Sequence, residues 1–152
     1  MTVEFRAINA DREPARSLIA ATLADYEKVY GDTDLGDTPS ATAAEMDRPY
    51  GAFLVAYDRD RPVGCGGLKR LDADTAEIKR MYVVADARGR GVGRSTLIAL
   101  EEEARRLGYR RARLDTGPRQ PHARALYESA GYAAIPDYNA NPYAAYWGEK
   151  RL

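Results

Sequence analysis

Cysteine, histidine and tryptophan occur once each in the 152 residues, and phenylalanine only twice. A single cysteine, Cys65, excludes an intramolecular disulfide, and one cysteine with one histidine leaves no cluster at metal-ligand spacing. Cys65 lies in an apolar stretch and reads as a buried packing residue, the usual place of a free cysteine, rather than a nucleophile. Net charge is missing as well: 23 Lys and Arg balance 23 Asp and Glu, so no overall field draws the chain to nucleic acid or to an acidic membrane. No apolar run approaches the ~20 residues that span a bilayer. The opening Met1-Thr-Val-Glu-Phe-Arg6 lacks the basic-then-apolar order of a secretory leader. A soluble cytoplasmic protein is the expectation. Repeats, low-complexity tracts and linkers are absent from the pattern, and the length suits one domain over residues 1–152.

Tyrosine, by contrast, is abundant, with eleven against the two phenylalanines. A phenol favours one apolar side and one polar partner, so half-wet aromatic surfaces are expected. Thr2 to Ile8 alternates as a first strand. Asp11 reads as a helix N-cap, with Ala15, Leu18, Ile19, Thr22, Leu23 and Tyr26 following at helical spacing towards Tyr30. Residues 31–39 form a loop rich in Asp and Gly, and Thr38-Pro39 predicts a short second helix ending before Pro49. Ala52–Tyr57 and Val63–Leu71 pair as a hairpin, and Thr75–Val84 gives a further strand. A helix after Gly93 carries Leu97, Leu100, Ala104 and Leu107 inward, with Glu101/Arg105 and Glu102/Arg106 as outer pairs, and ends at Gly108. Then come a strand over Arg110–Asp115, a helix opening at Gln120-Pro121 and ending at Gly131, and strands over Tyr132–Ile135 and Ala144–Lys150. The order describes one mixed α/β domain.

The most informative segment is Arg88-Gly89-Arg90-Gly91-Val92-Gly93, which joins a strand directly to a helix. Glycines at alternate positions allow a tight turn and close approach of a ligand to the backbone. The helix that follows aims unpaired N–H groups and the positive end of its dipole into that turn. With Arg88, Arg90 and Arg94 they make an anion site suited to phosphate or pyrophosphate, the alternative being a structural turn with solvated arginines. A Walker loop is excluded because Gly93 is followed by Arg94-Ser95, with no lysine. A dinucleotide fingerprint fails in both registers, ending on Arg94 from Gly89 and on Thr96 from Gly91.

These residues resemble the GNAT superfamily of acyl-CoA N-acetyltransferases. Arg88-Gly-Arg-Gly91-Val-Gly93 matches that family's Arg/Gln-x-x-Gly-x-Gly/Ala signature at every fixed position. Ala123-Arg-Ala-Leu126-Tyr127-Glu-Ser-Ala-Gly131-Tyr132 matches its second block, on the last helix. The resemblance implies a mixed, mainly antiparallel central sheet of about seven strands with helices on both faces, and acetyl-CoA as the acyl donor. It implies that the amides of Arg88, Gly89, Arg90, Gly91, Val92, Gly93 and Arg94 hold the pyrophosphate. The backbone of Met81, Tyr82 and Val83 would hydrogen-bond the pantetheine where two strands splay apart. The family usually carries Asn seven residues before the helix tyrosine, where this chain has Gln120.

Acetyl transfer to an amine requires deprotonation of the ammonium, polarisation of the thioester carbonyl and protonation of the leaving thiolate. Tyr127 is the candidate acid, on the inward helix face, against the alternative of a core tyrosine. Glu77, eleven residues before Arg88, is the candidate base, acting directly or through water. The alternatives there are a surface carboxylate paired with Lys79 or Arg80 and a mechanism using ordered water alone. The backbone N–H of Met81 or Val83 is expected to meet the oxyanion, and His122 to lie on the surface. Tyr26, Tyr30, Asp115, Tyr138 and Tyr143 are the acceptor-site candidates, with Asp32, Asp34 and Asp37 adding negative charge nearby. Acidic and phenolic groups suit a cationic small amine or amino acid. Protein lysine or N-terminal acetylation, and a non-catalytic acyl-CoA sensor, stay open, as does a homodimer.

Overall fold

The computed structural model describes residues 1–31 and 41–152, Tyr30 by its backbone alone. Its strands are β1 (Glu4–Ala7), β2 (Ala52–Asp58), β3 (Arg61–Arg70), β4 (Thr75–Val83), β5 (Arg111–Thr116), β6 (Ala133–Ala134) and β7 (Tyr146–Arg151). The helices among the described residues are α1 (Ala15–Tyr30), α2 (Val92–Arg106) and α3 (Pro121–Ser129). The strands form one seven-stranded sheet in the order β1-β2-β3-β4-β5-β7-β6. Only the β4–β5 pair is parallel, so the mainly antiparallel α/β expectation holds. No helix among the described residues is long and apolar enough to cross a membrane.

The run Ala-Phe-Leu-Val-Ala-Tyr in β2 is apolar without alternation because both its faces are covered. Phe53, Val55 and Tyr57 pack with Leu18 of α1, Met46 and Cys65. Ala52 and Leu54 pack on the other face with Leu97, Leu100 and Ala104 of α2. The glycines that thin β3 answer to this layer: a Cβ on Gly66 would stand 2.6 Å from Leu100 Cδ1. Helix α2 therefore lies directly on the β3 backbone, a close approach that only glycine allows.

Three local expectations are corrected. Asp11 does not cap α1; its own N–H is turned back to Asn9 Oδ1 at 3.2 Å, and the helix starts at Ala15 behind Pro14. No helix runs up to Pro49 over the described part of that segment. Thr42 and Glu45 cap one another, Thr42 N–H donating to Glu45 Oε1 at 3.0 Å and Glu45 N–H to Thr42 Oγ1 at 3.2 Å, but only turns follow. Thr38 and Pro39, which suggested that helix, lie outside the described residues. Glu101 is not an outer partner of Arg105. It shares the inward stripe of Leu97 and Ala104, where its carboxylate takes Lys150 Nζ at 3.0 Å and the Tyr132 hydroxyl at 2.9 Å. A buried carboxylate is stable only with such partners, and here they tie α2 to β7 and to the end of α3.

The feature that positions the site is the parting of β4 from β5. They pair only through Thr75, Ala76 and Glu77, opposite Arg111, Ala112 and Arg113. Just beyond, the β3–β4 register shifts between Cys65 and Gly67, and Arg80 adopts φ +59°. Such a bulge bends the strand and re-aims the residues after it. The end of β4 is thereby turned into an open cleft between the two layers of helices.

Candidate active site

The glycine loop forms as its sequence demands. Gly89 and Gly91 have φ +77° and +83°, and Gly91 is the N-cap residue of α2. A Cβ on either would meet nothing within 4 Å, so glycine is needed there for conformation rather than space. Gly93, inside the first turn, differs: its Cβ would make ordinary contacts, 3.6 Å to Leu126 and 3.9 Å to Val83. Arg88 anchors the loop sideways. Its Nη2 donates to Asp25 Oδ2 of α1 at 2.7 Å and its Nε to the Val83 carbonyl at 2.9 Å. Arg94 likewise donates to Ser129 Oγ on α3 at 2.5 Å. The two arginines thus brace the loop against both flanking helices.

A cleft of about 910 Å³ runs from this loop along the end of β4 to α3. Met81, Tyr82, Val83, Arg88, Gly89, Gly91, Val92, Gly93, Arg94, Gln120 and Tyr127 all line it; Arg90 does not, and is exposed. In an antiparallel ladder, residues alternate between bonding both ways across the pair and not at all. The Val84 N–H donates to the Val63 carbonyl at 2.9 Å, so Val83 turns its peptide groups to the open side, where Arg88 takes its carbonyl. The cleft therefore pairs a helix N-terminus with a free strand edge, which suits a chain bearing phosphates at one end and amides along its length. Acyl-coenzyme A has that build. His122 is exposed, at the rim of the cleft in the first turn of α3.

A second, smaller pocket of about 180 Å³ adjoins the first, and Tyr127, Met81, Gln120 and Tyr26 belong to both walls. The Tyr127 ring is buried, edge-on to Tyr132 with centroids 6.1 Å apart, and its hydroxyl points to Met81 Sδ at 3.9 Å. Burial, and secondarily the negative charge of Asp115, hold the Tyr127 phenol well above its ordinary pKa. It stays protonated throughout the neutral range and can only give its proton to a base formed during reaction.

Behind this pocket four segments meet in a polar cluster. Glu77 is 2% exposed, with Lys79 Nζ 3.4 Å from Oε1 and Asn139 Nδ2 donating to Oε2 at 3.2 Å. The same Asn139 amide donates to Asp115 Oδ2 at 2.5 Å, and Asn141 Nδ2 to that oxygen at 3.2 Å. Asn139 is oriented in turn by Trp147, whose Nε1–H donates to its Oδ1 at 2.9 Å. Asp115 and Tyr143 line the small pocket, but Glu77 does not. Tyr138 does not line it either. It is half-buried beneath the Arg113 guanidinium, and burial beside the Glu77 and Asp115 charges raises its pKa. The Tyr30 side chain, Asp32, Asp34 and Asp37 lie outside the described residues. Sequence reasoning missed Asn139 and Asn141 because Asn-Ala-Asn-Pro reads as an ordinary turn; nothing local shows that both amides face carboxylates. Cys65 is fully buried as expected, and burial pushes its thiol up to about 12.

A family model described as the acetyltransferase (GNAT) family matches residues 15–132. The chain is 37% identical over 103 residues to the uncharacterized N-acetyltransferase YsnE of Bacillus subtilis (strain 168), a span of 64% of this chain and 68% of that one. It is 30% identical over 126 residues to the IAA acetyltransferase of Azospirillum brasilense, 82% of each. In fold it resembles the acetyltransferase of GNAT family from Staphylococcus aureus MU50, with a TM-score of 0.80 at 20% identity over 98% of this chain and 99% of that one. It also resembles the PaiA N-acetyltransferase from Thermoplasma acidophilum in complex with coenzyme A, with a TM-score of 0.74 at 17% identity over 100% of both.

Proposed function

The chain belongs to the acetyltransferase (GNAT) family and is an acetyl-CoA-dependent acyltransferase, and from that premise we propose that it acetylates a primary amine on a small molecule or amino acid. The observation that carries this reading is the junction of the two cavities at Tyr127 and Met81. A coenzyme in the long cleft would present its acyl group there, and the acceptor pocket of about 180 Å³ has room for a small group only. Asn141 and Tyr143 belong to its wall, and its small volume favours a small molecule over a protein segment. The acyltransferase assignment leaves the sensor reading without support.

In this reading the loop amides from Arg88 to Arg94 hold the pyrophosphate at the N-terminus of α2, and the exposed edge of Met81 and Val83 holds the pantetheine amides. The acceptor enters beside Asp115. One ammonium proton passes to Glu77, which reaches the acceptor only through Lys79 or a water because its carboxylate stands behind them. The neutral nitrogen then attacks the thioester carbonyl, whose oxygen is met by a β4 backbone N–H. The C–N bond forms, the C–S bond breaks, and the thiolate takes the Tyr127 hydroxyl proton. The second nitrogen proton returns to Tyr127 and Glu77 releases the first to solvent, so the enzyme ends as it began.

Free thiol released from acetyl-CoA in the presence of a panel of small amines tests the proposal directly. Turnover with at least one small primary amine is expected; turnover only with peptides would replace the small acceptor by a protein one. Acetyl-CoA alone should stabilise the fold, by about 2.7 kcal/mol at 100 times its Kd.

A further inference from the structure

Strands β4 and β5 stop pairing after Glu77 and Arg113, yet their side chains stay joined one step further on. The joint is the Asn139 amide. Its Nδ2 donates to Glu77 Oε2 on β4 at 3.2 Å and to Asp115 Oδ2 on β5 at 2.5 Å, so both of its N–H groups are spent on carboxylates. The other end of the amide is fixed as well. Its Oδ1 accepts the Trp147 indole N–H at 2.9 Å and the Asn141 backbone N–H at 3.2 Å. Two donors on that oxygen set which end of the amide faces the carboxylates. Trp147 stands directly opposite Asp115 in the β5–β7 register, so this chain of hydrogen bonds starts on a paired strand.

Neither Asn139 nor Trp147 lines the long cleft or the small pocket, so any part they take in the reaction runs through the residues they hold. Lys79 Nζ lies 3.4 Å from Glu77 Oε1 and 3.5 Å from Asp115 Oδ2, and draws both carboxylates towards one cation. Lys79 and Asp115 belong to the wall of the small pocket, with Glu77 behind them. The contacts of Asp115 among the described residues gather on Oδ2, from Asn139, Asn141 and Lys79. They fix the turn of the carboxylate that the pocket meets. Like charges at this range repel, and a hydrogen-bond donor shared between them offsets part of the repulsion. Without the amide the two carboxylates would move apart, and the face that Asp115 offers the pocket would move with them.

We propose that Asn139, held by Trp147, is a positioning residue for acetyl transfer, its amide fixing the Glu77 and Asp115 carboxylates against one another where β4 and β5 part. This rests on the acetyl-transfer reading and deepens it. The test follows thiol release by the full chain with acetyl-CoA and the panel amine that turns over fastest. Asn139→Ala should lower kcat/KM for the amine by about 10-fold or more, the scale of a displaced reacting geometry, and leave KM for acetyl-CoA unchanged. Asn139→Asp keeps the volume but sets a third anionic oxygen against the other two, so it should lose more than Asn139→Ala; a packing role predicts the reverse order. Trp147→Phe keeps an aromatic ring and removes the N–H. It should cost about 5-fold in the wild type, on the scale of one hydrogen bond, and nothing further in Asn139→Ala, because the two residues act as one chain. Asn139→Ala with wild-type kcat/KM overturns the proposal, and so do losses that multiply in the double variant or an Asn139→Asp more active than Asn139→Ala. Asn139→Ala and Trp147→Phe add no charge, so they decide the matter where Asn139→Asp does not fold. Absence of thiol release by the wild type with every amine would instead bring down the acetyl-transfer reading, and this one with it.

Discussion

The two halves of the cleft are built by different means. The half proposed for the donor is main chain: loop amides at the start of α2, and the open edge of β4 left by its parting from β5. Its side chains mostly brace the frame, as Arg88 does against Asp25 and Arg94 against Ser129. The half proposed for the acceptor is side chain: Asp115 from β5, Lys79 and Arg80 from β4, Asn141 and Tyr143 from the segment before β7, Tyr26 from α1. A backbone site binds a constant ligand and tolerates change at most positions, while a side-chain site can be re-tuned residue by residue. The division lets one frame keep its coenzyme while the acceptor varies.

Tyr127 lies on the border between the halves, and its removal should produce the largest loss. Tyr127→Phe keeps the ring against Tyr132 and deletes only the hydroxyl. Acid catalysis predicts a fall in kcat of about 10²-fold or more with KM for acetyl-CoA little altered. A near-normal kcat in steady-state assays would make Tyr127 a packing residue.

Asp115→Asn comes next and touches the acceptor half alone. Loss of the negative charge should lower kcat/KM for the amine by about 10–10²-fold, the usual scale for a buried charged partner, and leave the Kd for acetyl-CoA as it was. Equal damage to both ligands would show that the halves are not separable.

The matching change in the donor half is Gly91→Val. A β-branched residue forced to φ +83° costs about 1–2 kcal/mol and distorts the amides that receive the anion. We expect coenzyme affinity by calorimetry to fall by about 10-fold, against a much smaller change for Gly93→Ala, where the backbone is unstrained and the added methyl has room. If Gly93→Ala proves the worse of the two, close approach of the ligand, and not loop conformation, is what the glycines serve.

Glu77→Gln should cost less, about 10-fold in kcat/KM, because the carboxylate acts through Lys79 or water. If Glu77 receives the proton, the rising limb of the pH profile should flatten or move towards the pKa of the free amine, with partial recovery where the amine is already neutral. A profile superimposable on that of the wild type would remove Glu77 from the proton path.

Cys65 should show the smallest effect of all. Its thiol is fully buried and pushed from 9.0 to about 12, so the folded chain should resist a thiol reagent at pH 8 that labels the unfolded chain promptly. The sign of the linkage follows: a raised folded pKa stabilises the fold fully below pH 9, and that contribution is lost as pH climbs from 9 towards 12. Prompt labelling of the native protein would place Cys65 in an opening segment of β3.

Most of the glycine loop and its flanking elements was legible in the sequence because its signal is local. The strand–glycine–helix order of Thr75 to Arg106 specifies a turn whose N–H groups converge, whatever lies around it. The periodicity of α2 and α3 likewise fixes which faces go inward, Tyr127 among them. It failed at Glu101, where a charged residue on the inward stripe was read as an outer one. Its partners, Lys150 and Tyr132, are 49 and 31 residues away.

The sequence by itself determined most of the order of elements, the glycine loop and the family. Each depends on residues within a few positions of one another, so short-range sterics and hydrogen bonding decide them. Only the tertiary structure decided the polar cluster behind the small pocket. Glu77 and Asp115 share the amide of Asn139 because β4 parts from β5 just there, and Tyr138, a plausible acceptor contact by composition, is turned under Arg113 instead. Such pairings join residues 24 to 62 positions apart, and only the packed sheet fixes which of them meet.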